Sequence, residues 1–149
     1  MTRFFDLDAA NDALPEVRGI LTRLADERQE LIRLRDEVLE RQSAVEAAAE
    51  ATAGGSGTGS SRRADAEVAE LRRLRLRMQG VIDQMQAGVA RIDELGITLR
   101  DIETGLIDFP ALVTGRQVWL CWRLGEDDVA WWHELTTGVA GRRSLAELE

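Results

Sequence analysis

Lysine and tyrosine are absent from the 149-residue sequence, and cysteine and histidine occur once each, as Cys121 and His133. All nineteen basic residues are therefore arginines. Neither a Schiff-base lysine nor a phenolic acid is available, so any acid, base or nucleophile must be a carboxylate, a hydroxyl, Cys121 or His133. A single cysteine cannot form an internal disulfide, which is typical of a reducing compartment and favours a cytoplasmic location.

Long apolar runs are also missing. No segment approaches the roughly 18 consecutive apolar residues of a membrane span. The beginning of the chain, MTRFFDLDAAND, has no apolar stretch between a basic start and a cleavage site. The sequence therefore predicts neither a signal peptide nor a membrane partner.

Charge makes nucleic acid an unlikely partner, because the formal net charge is −8. A local arginine run between Arg62 and Arg77 leaves nucleic-acid binding as the weakest hypothesis. Acidic residues interleave this run, which favours a solvated, salt-bridged helix face.

What the chain does contain begins with helix. Asp6 or Asp8 is a suitable cap for a short first helix, and Asn11-Asp12 offers a second cap before Pro15. A long helix should follow, then a flexible turn at about 53–62, where glycine and serine dominate. The second helix should run from about Arg63 to Leu95 and end at Gly96.

Both helices have apolar residues at alternating steps of three and four, the period of a coiled coil. We therefore expect an antiparallel helical hairpin at about 8–95 with a protruding tip. Gly80 and Gly88 would mark close helix contacts, because glycine is otherwise unfavourable inside a helix. The predicted seams comprise Leu14, Val17, Leu21, Leu24, Leu31, Val38 and Val45, then Val68, Leu71, Met78, Ile82, Met85, Val89 and Ile92.

After Gly96 the pattern changes to short strands, so the fold class is α+β in a single domain, with a β-meander at about 97–136. The predicted strands are 97–102, 105–109 with a stop at Pro110, 117–124 and 129–135. Glycine and acidic residues form the turns between them. The tail, 137–149, should leave the sheet and end in a weak helical turn.

A four-residue turn at 125–128 would pair Trp122 with Trp131 and Leu120 with His133. Trp119, Cys121 and Trp132 would then share the other face, so Cys121 and His133 would point apart. If the hairpin covers one face, that second face stays uncovered and forms an interface or a ligand groove. The predicted interface residues are Trp119, Cys121, Trp132, Trp122 and Trp131.

Four stretches together resemble a family of small bacterial and archaeal proteins classed as a domain of unknown function. They are FFDLDAANDALPEV, DIETGLIDFPAL, GRQVWLCWRLGED and WWHELTTGVAGR. The resemblance covers both ends of the chain, and the hairpin is matched in character only. It implies the α+β fold and carries no established activity.

His133 is either a metal or haem ligand or a histidine packed at the core edge and bonded to one carboxylate. Its candidate partners in a metal site are Glu103, Asp108 and Glu126. Cys121 lies in an apolar strand, which is typical of a buried small hydrophobe. Asp101, Glu103 and Asp108 suit turn capping and arginine pairing, or acid–base work.

Two functions follow from these patterns. The first is a non-enzymatic interaction or oligomerisation module that uses the aromatic sheet face and the helical hairpin. The second is a metal- or haem-binding protein centred on His133, with a redox or small-molecule reaction as its extension.

Overall fold

The computed structural model describes residues 2–52 and 58–148. Two long helices are followed by one antiparallel sheet, which confirms the predicted α+β class. The helices are α1 (Leu7–Thr52) and α2 (Thr58–Glu94). The strands are β1 (Thr98–Asp101), β2 (Leu106–Val113), β3 (Arg116–Arg123), β4 (Trp131–His133) and β5 (Arg143–Ser144).

The chain divides into two compact units, Met1–Arg28 with Met85–Glu149, and Gln29–Gln84. The predicted flexible turn at 53–62 falls partly on residues 53–57, which lie outside the described residues, and α2 has already begun at Thr58. Within the described part of the chain, no helix combines the length and apolar character needed to cross a membrane.

Helix α1 begins after Asp6, one of the two predicted caps, whose Oδ1 accepts a hydrogen bond from the Ala9 amide at 2.7 Å. The predicted second cap at Asn11-Asp12 is wrong, since α1 continues through Pro15. The Asn11 side chain instead accepts from the Val129 amide at 2.8 Å. Proline removes one helical hydrogen bond, and the buried Leu14 and Val17 beside it offset that loss.

In the first unit the two helices touch closely at Gly88. A Cβ there would lie 3.2 Å from Leu24 Cδ2, so the predicted close contact is confirmed. At Gly80 the same prediction is wrong, because nothing lies within 4 Å. Gly96 ends α2 with a φ of 81° and donates its amide to the Asp93 carbonyl at 2.9 Å, as predicted.

The second unit contains the adjoining lengths of both helices. Its buried apolar side chains are Leu34 and Val38 from α1, and Leu71, Leu74 and Val81 from α2. The predicted seam is wrong at Val68, which is 45% exposed. The ion pairs Arg41–Glu67 (3.0 Å) and Arg77–Glu30 (2.9 Å) link the helices at their surface.

The five strands form a meander in chain order. A tight turn at Thr114 and Gly115, both at positive φ (50° and 82°), joins β2 to β3. The predicted strand stop at Pro110 is wrong. The Pro110 carbonyl accepts from the Phe5 amide at 2.7 Å, so its backbone polar atoms point away from β3 and no bond to that strand is lost.

The predicted register between β3 and β4 is wrong by one residue. Cys121 pairs with Trp131, Leu120 with Trp132, and Trp119 with His133. The shift has a tertiary cause. Val129 leaves the ladder because its amide donates to Asn11 and its side chain is buried in the core. A shift of one residue exchanges the two faces of a strand.

The tail does not leave the sheet, which corrects another expectation. Its segment Arg143–Ser144 pairs with β4 as the fifth strand. A short 3-10 helix at Leu145–Leu148 follows, in agreement with the predicted helical turn. Leu145 packs against the core, and its amide donates to the Ala130 carbonyl at 3.0 Å.

Candidate metal centre

Strand alternation gives the sheet two chemically different faces. The inner face packs on the helices and is apolar, with Ile107, Phe109, Leu120, Trp122 and Trp132 in the core cluster. The outer face, which we define as the opposite side, carries Asp108, Trp119, Cys121, Trp131 and His133.

Asp108 and His133 are the only two buried polar or charged residues of the described chain, each about 2% exposed. His133 Nε2 lies 3.0 Å from both Asp108 carboxylate oxygens. Arg100 donates its Nε–H to Asp108 Oδ2 at 2.9 Å. A bulge between Leu99 and Asp101 in β1 accompanies this approach of Arg100 to the outer face. The carboxylate therefore has a cationic partner in addition to the imidazole.

Both ring nitrogens of His133 face oxygen acceptors. Nδ1 lies 2.8 Å from the Glu134 carbonyl, which can only accept, so Nδ1 carries a proton and donates. Nε2 faces the Asp108 carboxylate at 3.0 Å, so a proton or a cation must lie between the two groups. The bond from Nδ1 to the Glu134 carbonyl thus orients the imidazole so that Nε2 points at the Asp108 carboxylate.

Cys121 completes this group. One ligand atom from each of Asp108, Cys121 and His133 lies within 4.8 Å of the other two, and all three residues are buried. The pKa of the Cys121 thiol is raised to about 11, because burial and the negative Asp108 carboxylate raise it more than a hydrogen bond with Arg142 lowers it. The metal-free thiol is consequently protonated and a poor nucleophile.

The expectation that Cys121 and His133 point to opposite faces is therefore wrong, because the register shift places them together. A Cys–His dyad still does not follow. The Nε2 atom of His133 is directed at Asp108, and its Nδ1 proton is held by the Glu134 carbonyl.

Of the carboxylates expected near His133, only Asp108 lies there. Glu103 forms an ion pair with Arg28 at 3.7 Å. Glu126 accepts two hydrogen bonds from Arg142, at 3.1 and 2.9 Å. Arg142 in turn bonds Cys121, so Glu126 is linked to Cys121 only through that arginine. Neither belongs to the group of converging ligand atoms in the described chain.

Asp101 has the expected turn-capping geometry. Its Oδ2 accepts from the Thr104 amide at 3.1 Å and from the Thr104 hydroxyl at 2.6 Å. Both bonds lower the pKa of Asp101, and the bond from the Thr104 hydroxyl has the larger effect.

The tryptophans separate by face. Trp122 and Trp132 are buried in the core, so the expectation that Trp132 lies uncovered beside Trp119 and Cys121 is wrong. Trp119 and Trp131 are half-buried on the outer face. Guanidinium groups lie over them, with Arg100 Cζ 4.9 Å and Arg142 Cζ 4.7 Å from the respective ring centroids.

An open pocket of about 340 Å³ adjoins the centre. Asp108 and His133 line it, and Arg100 borders it. Its remaining lining is Leu106, Leu135, Thr136, Gly138 and Val139.

The described chain is therefore an α+β protein of two helices and five strands, with a buried Asp–Cys–His group on the outer sheet face. The chain belongs to the family described as "Uncharacterized conserved protein (DUF2203)", whose model matches residues 3–145. The match confirms the resemblance to a family without an established activity and includes the helical hairpin. Neither a curated protein nor a solved structure matches the chain significantly.

Proposed function

We propose that this protein binds one transition-metal ion through Asp108, Cys121 and His133, with Zn²⁺ as the ion that fits these donors best. One observation carries the proposal: three buried ligand atoms of three chemical types converge within 4.8 Å. Thiolate, imidazole and carboxylate are the usual zinc ligands, and a site with three protein ligands keeps a fourth position open.

The orientation of His133 supports this function. Metal-bound histidines donate their second ring N–H to a carbonyl or carboxylate, which fixes the other nitrogen toward the ion. His133 has this arrangement, with Nδ1 bonded to the Glu134 carbonyl at 2.8 Å. The three ligands come from adjacent strands β2, β3 and β4, so the sheet holds their spacing before any ion binds.

Charge balance also supports a dication. Asp108 and the Cys121 thiolate that metal binding requires would contribute two negative charges to the buried group, and Zn²⁺ would offset both of them. The proposal specifies an ion rather than haem, because the ligand atoms lie close enough to share a single small centre.

Cobalt substitution tests the proposal. Chelator-treated protein is titrated with Co²⁺ and then with Zn²⁺. We expect saturation at one ion per chain, a near-ultraviolet thiolate charge-transfer band and intense visible bands of tetrahedral Co²⁺, all removed by Zn²⁺. Cys121→Ser should lose the charge-transfer band. Asp108→Asn and His133→Gln should each weaken binding at least about tenfold.

Glu103→Gln is the matched control, because it removes a carboxylate that pairs with Arg28 and lies outside the ligand group. It should bind Co²⁺ as the wild type does. The proposal is wrong if folded wild-type protein retains no Zn²⁺ after gel filtration, or if Glu103→Gln is as defective as Asp108→Asn.

A second function, self-association, is supported by large apolar side chains on the surface of the second unit. Leu39 is 57% exposed and Leu76 is 68% exposed. Burying such side chains against another copy would remove apolar area from water. On the sheet, only Trp119 and Trp131 of the predicted interface retain accessible surface.

Light scattering tests this second function. A dimer that becomes a monomer in Leu76→Glu would support association through the helices. Loss of the dimer in Trp119→Ala or Trp131→Ala would assign it to the sheet face. A wild-type monomer at high protein concentration would exclude self-association under those conditions.

A further inference from the structure

The pocket beside the candidate metal centre has a polar floor and apolar walls. Asp108 and His133 form the floor, while Leu106, Leu135 and Val139 supply the walls. Its volume of about 340 Å³ lies near the lower end for sites that hold small molecules. The walls suit a short aliphatic body, and the floor and rim suit a polar head group.

Arg100 provides a cationic donor at the edge of this pocket. Its Nε–H is committed to Asp108, and its guanidinium lies over the Trp119 ring, so the group is held in place from two sides. Its terminal NH₂ groups have no hydrogen-bond partner among residues 2–52 and 58–148. The side chain is 42% exposed, so these donors are available to a ligand.

The charge of the surroundings favours a monoanion. Among the described residues, Arg100 is the only arginine that lines the pocket. With the proposed ion bound, Asp108 and the Cys121 thiolate would offset its two positive charges, so Arg100 would leave one positive charge at the pocket, which a phosphate dianion would exceed. A carboxylate carries a single charge, and its planar geometry matches the guanidinium donors.

The proposed metal site opens on the same pocket. Two of its three ligands line the pocket, and Cys121 does not, so a molecule in the pocket would approach a bound ion from the side of Asp108 and His133. We propose, resting on the metal-binding function above, that the pocket binds a small aliphatic monocarboxylate. Its carboxylate bridges Arg100 and the open position of the metal, and its alkyl group contacts Leu106, Leu135 and Val139.

Isobutyrate serves as the probe, with inorganic phosphate as the competing class. Cobalt-loaded protein is titrated with each, and visible spectra and calorimetric heats are recorded. Isobutyrate should bind saturably and shift the cobalt bands, while phosphate should bind at least about tenfold more weakly. Metal-free protein should bind isobutyrate more weakly than cobalt-loaded protein, because only Arg100 remains to hold the carboxylate.

Two variants test where in the pocket the ligand binds. Arg100→Gln should weaken isobutyrate binding about tenfold or more, since it removes the cation. Leu135→Glu should weaken it similarly by placing a negative charge in the wall. Leu112→Glu is the matched control, because Leu112 and Leu135 are each 51% exposed and Leu112 lies outside the pocket. The cobalt content of each variant is measured before titration.

Loss of affinity in Leu135→Glu but not in Leu112→Glu, with cobalt retained in both, supports the pocket. Protein that holds cobalt but gives no isobutyrate-dependent shift overturns the pocket inference and leaves metal binding intact. Phosphate binding as tight as isobutyrate binding overturns the carboxylate assignment. Protein that takes up no cobalt overturns both proposals, and the metal content alone identifies that outcome.

Discussion

The two faces of the sheet are built from the same strands, but different interactions stabilise the side chains that are buried on each face. On the inner face, Phe109 and Trp122 are buried against the helices, and the stabilisation comes from apolar area removed from water. On the outer face, Asp108 and His133 are equally buried, and their polar partners in the described chain are each other, Arg100, the Cys121 thiol and a backbone carbonyl. A buried charge is costly unless it is paired.

This difference separates shape from chemistry. The inner face tolerates exchanges among apolar side chains of similar volume, because packing is non-directional. The outer face depends on particular atoms at particular distances, so replacing one charged side chain by an uncharged one leaves its partners unpaired. The face that contributes less apolar area is therefore the one that can carry a function.

The largest expected effect is on the inner face. Phe109→Ala removes a fully buried ring that meets Phe5 edge-on at a centroid distance of 5.1 Å. We expect a loss of about 3–5 kcal/mol in the free energy of unfolding, measured by urea denaturation. Leu112→Ala, in the same strand but 51% exposed, is the control and should change it by less than about 0.5 kcal/mol. Equal effects would remove the distinction between core and surface on β2.

Asp108→Asn should have the next largest effect, measured on metal-free protein. It leaves His133 and Arg100 without their anionic partner, and we expect a loss of about 3 kcal/mol in the free energy of unfolding. Glu103→Gln removes an exposed partner of Arg28 and should change stability by less than about 0.5 kcal/mol. If Asp108→Asn is neutral or stabilising, the outer face does not depend on its buried charge pair.

Local signals in the sequence were sufficient for the start of α1 and the end of α2, but not for the region of Asn11-Asp12 or for the start of α2 at Thr58. The Asp6 cap and the Gly96 terminus depend on hydrogen bonds within a few residues, so composition and spacing predict them. The α+β class follows from the change of period after Gly96. The matching of the two helices was less accurate, because Val68 is exposed while Leu74 and Val81 are buried.

The sheet register could not be predicted in the same way, and the place of Cys121 beside Asp108 and His133 was missed with it. Bonds from the distant Asn11 and Phe5 set the positions of Val129 and Pro110. One signal was available: a two-residue turn at Thr114-Gly115 pairs Asp108 with Cys121. The place of His133 beside them required the tertiary bond from Asn11.

The reactivity of Cys121 gives a smaller, kinetic contrast. The thiol is fully buried and its pKa is raised from 9.0 to about 11, chiefly by desolvation. At a pH below the pKa, each unit by which the pKa is raised lowers the thiolate fraction about tenfold. Alkylation of the metal-free folded protein at pH 8 should therefore be about 100-fold slower than alkylation of the urea-unfolded chain. Raising the pH toward 11 should narrow this gap, provided that the protein stays folded. Comparable rates at pH 8 would mean that solvent reaches the outer face.

The smallest expected effect lies at the half-buried edge of the outer face. The Arg100 guanidinium lies over Trp119, so Trp119→Phe keeps a ring but weakens the cation–π contact. We expect a loss of about 0.5–1 kcal/mol in the free energy of unfolding. In an Arg100→Gln background the same substitution should cost less, because the contact is already absent, and a double-mutant cycle measures the difference. Strict additivity would show that Trp119 is held by packing alone, and that Arg100 is fixed only by its bond to Asp108.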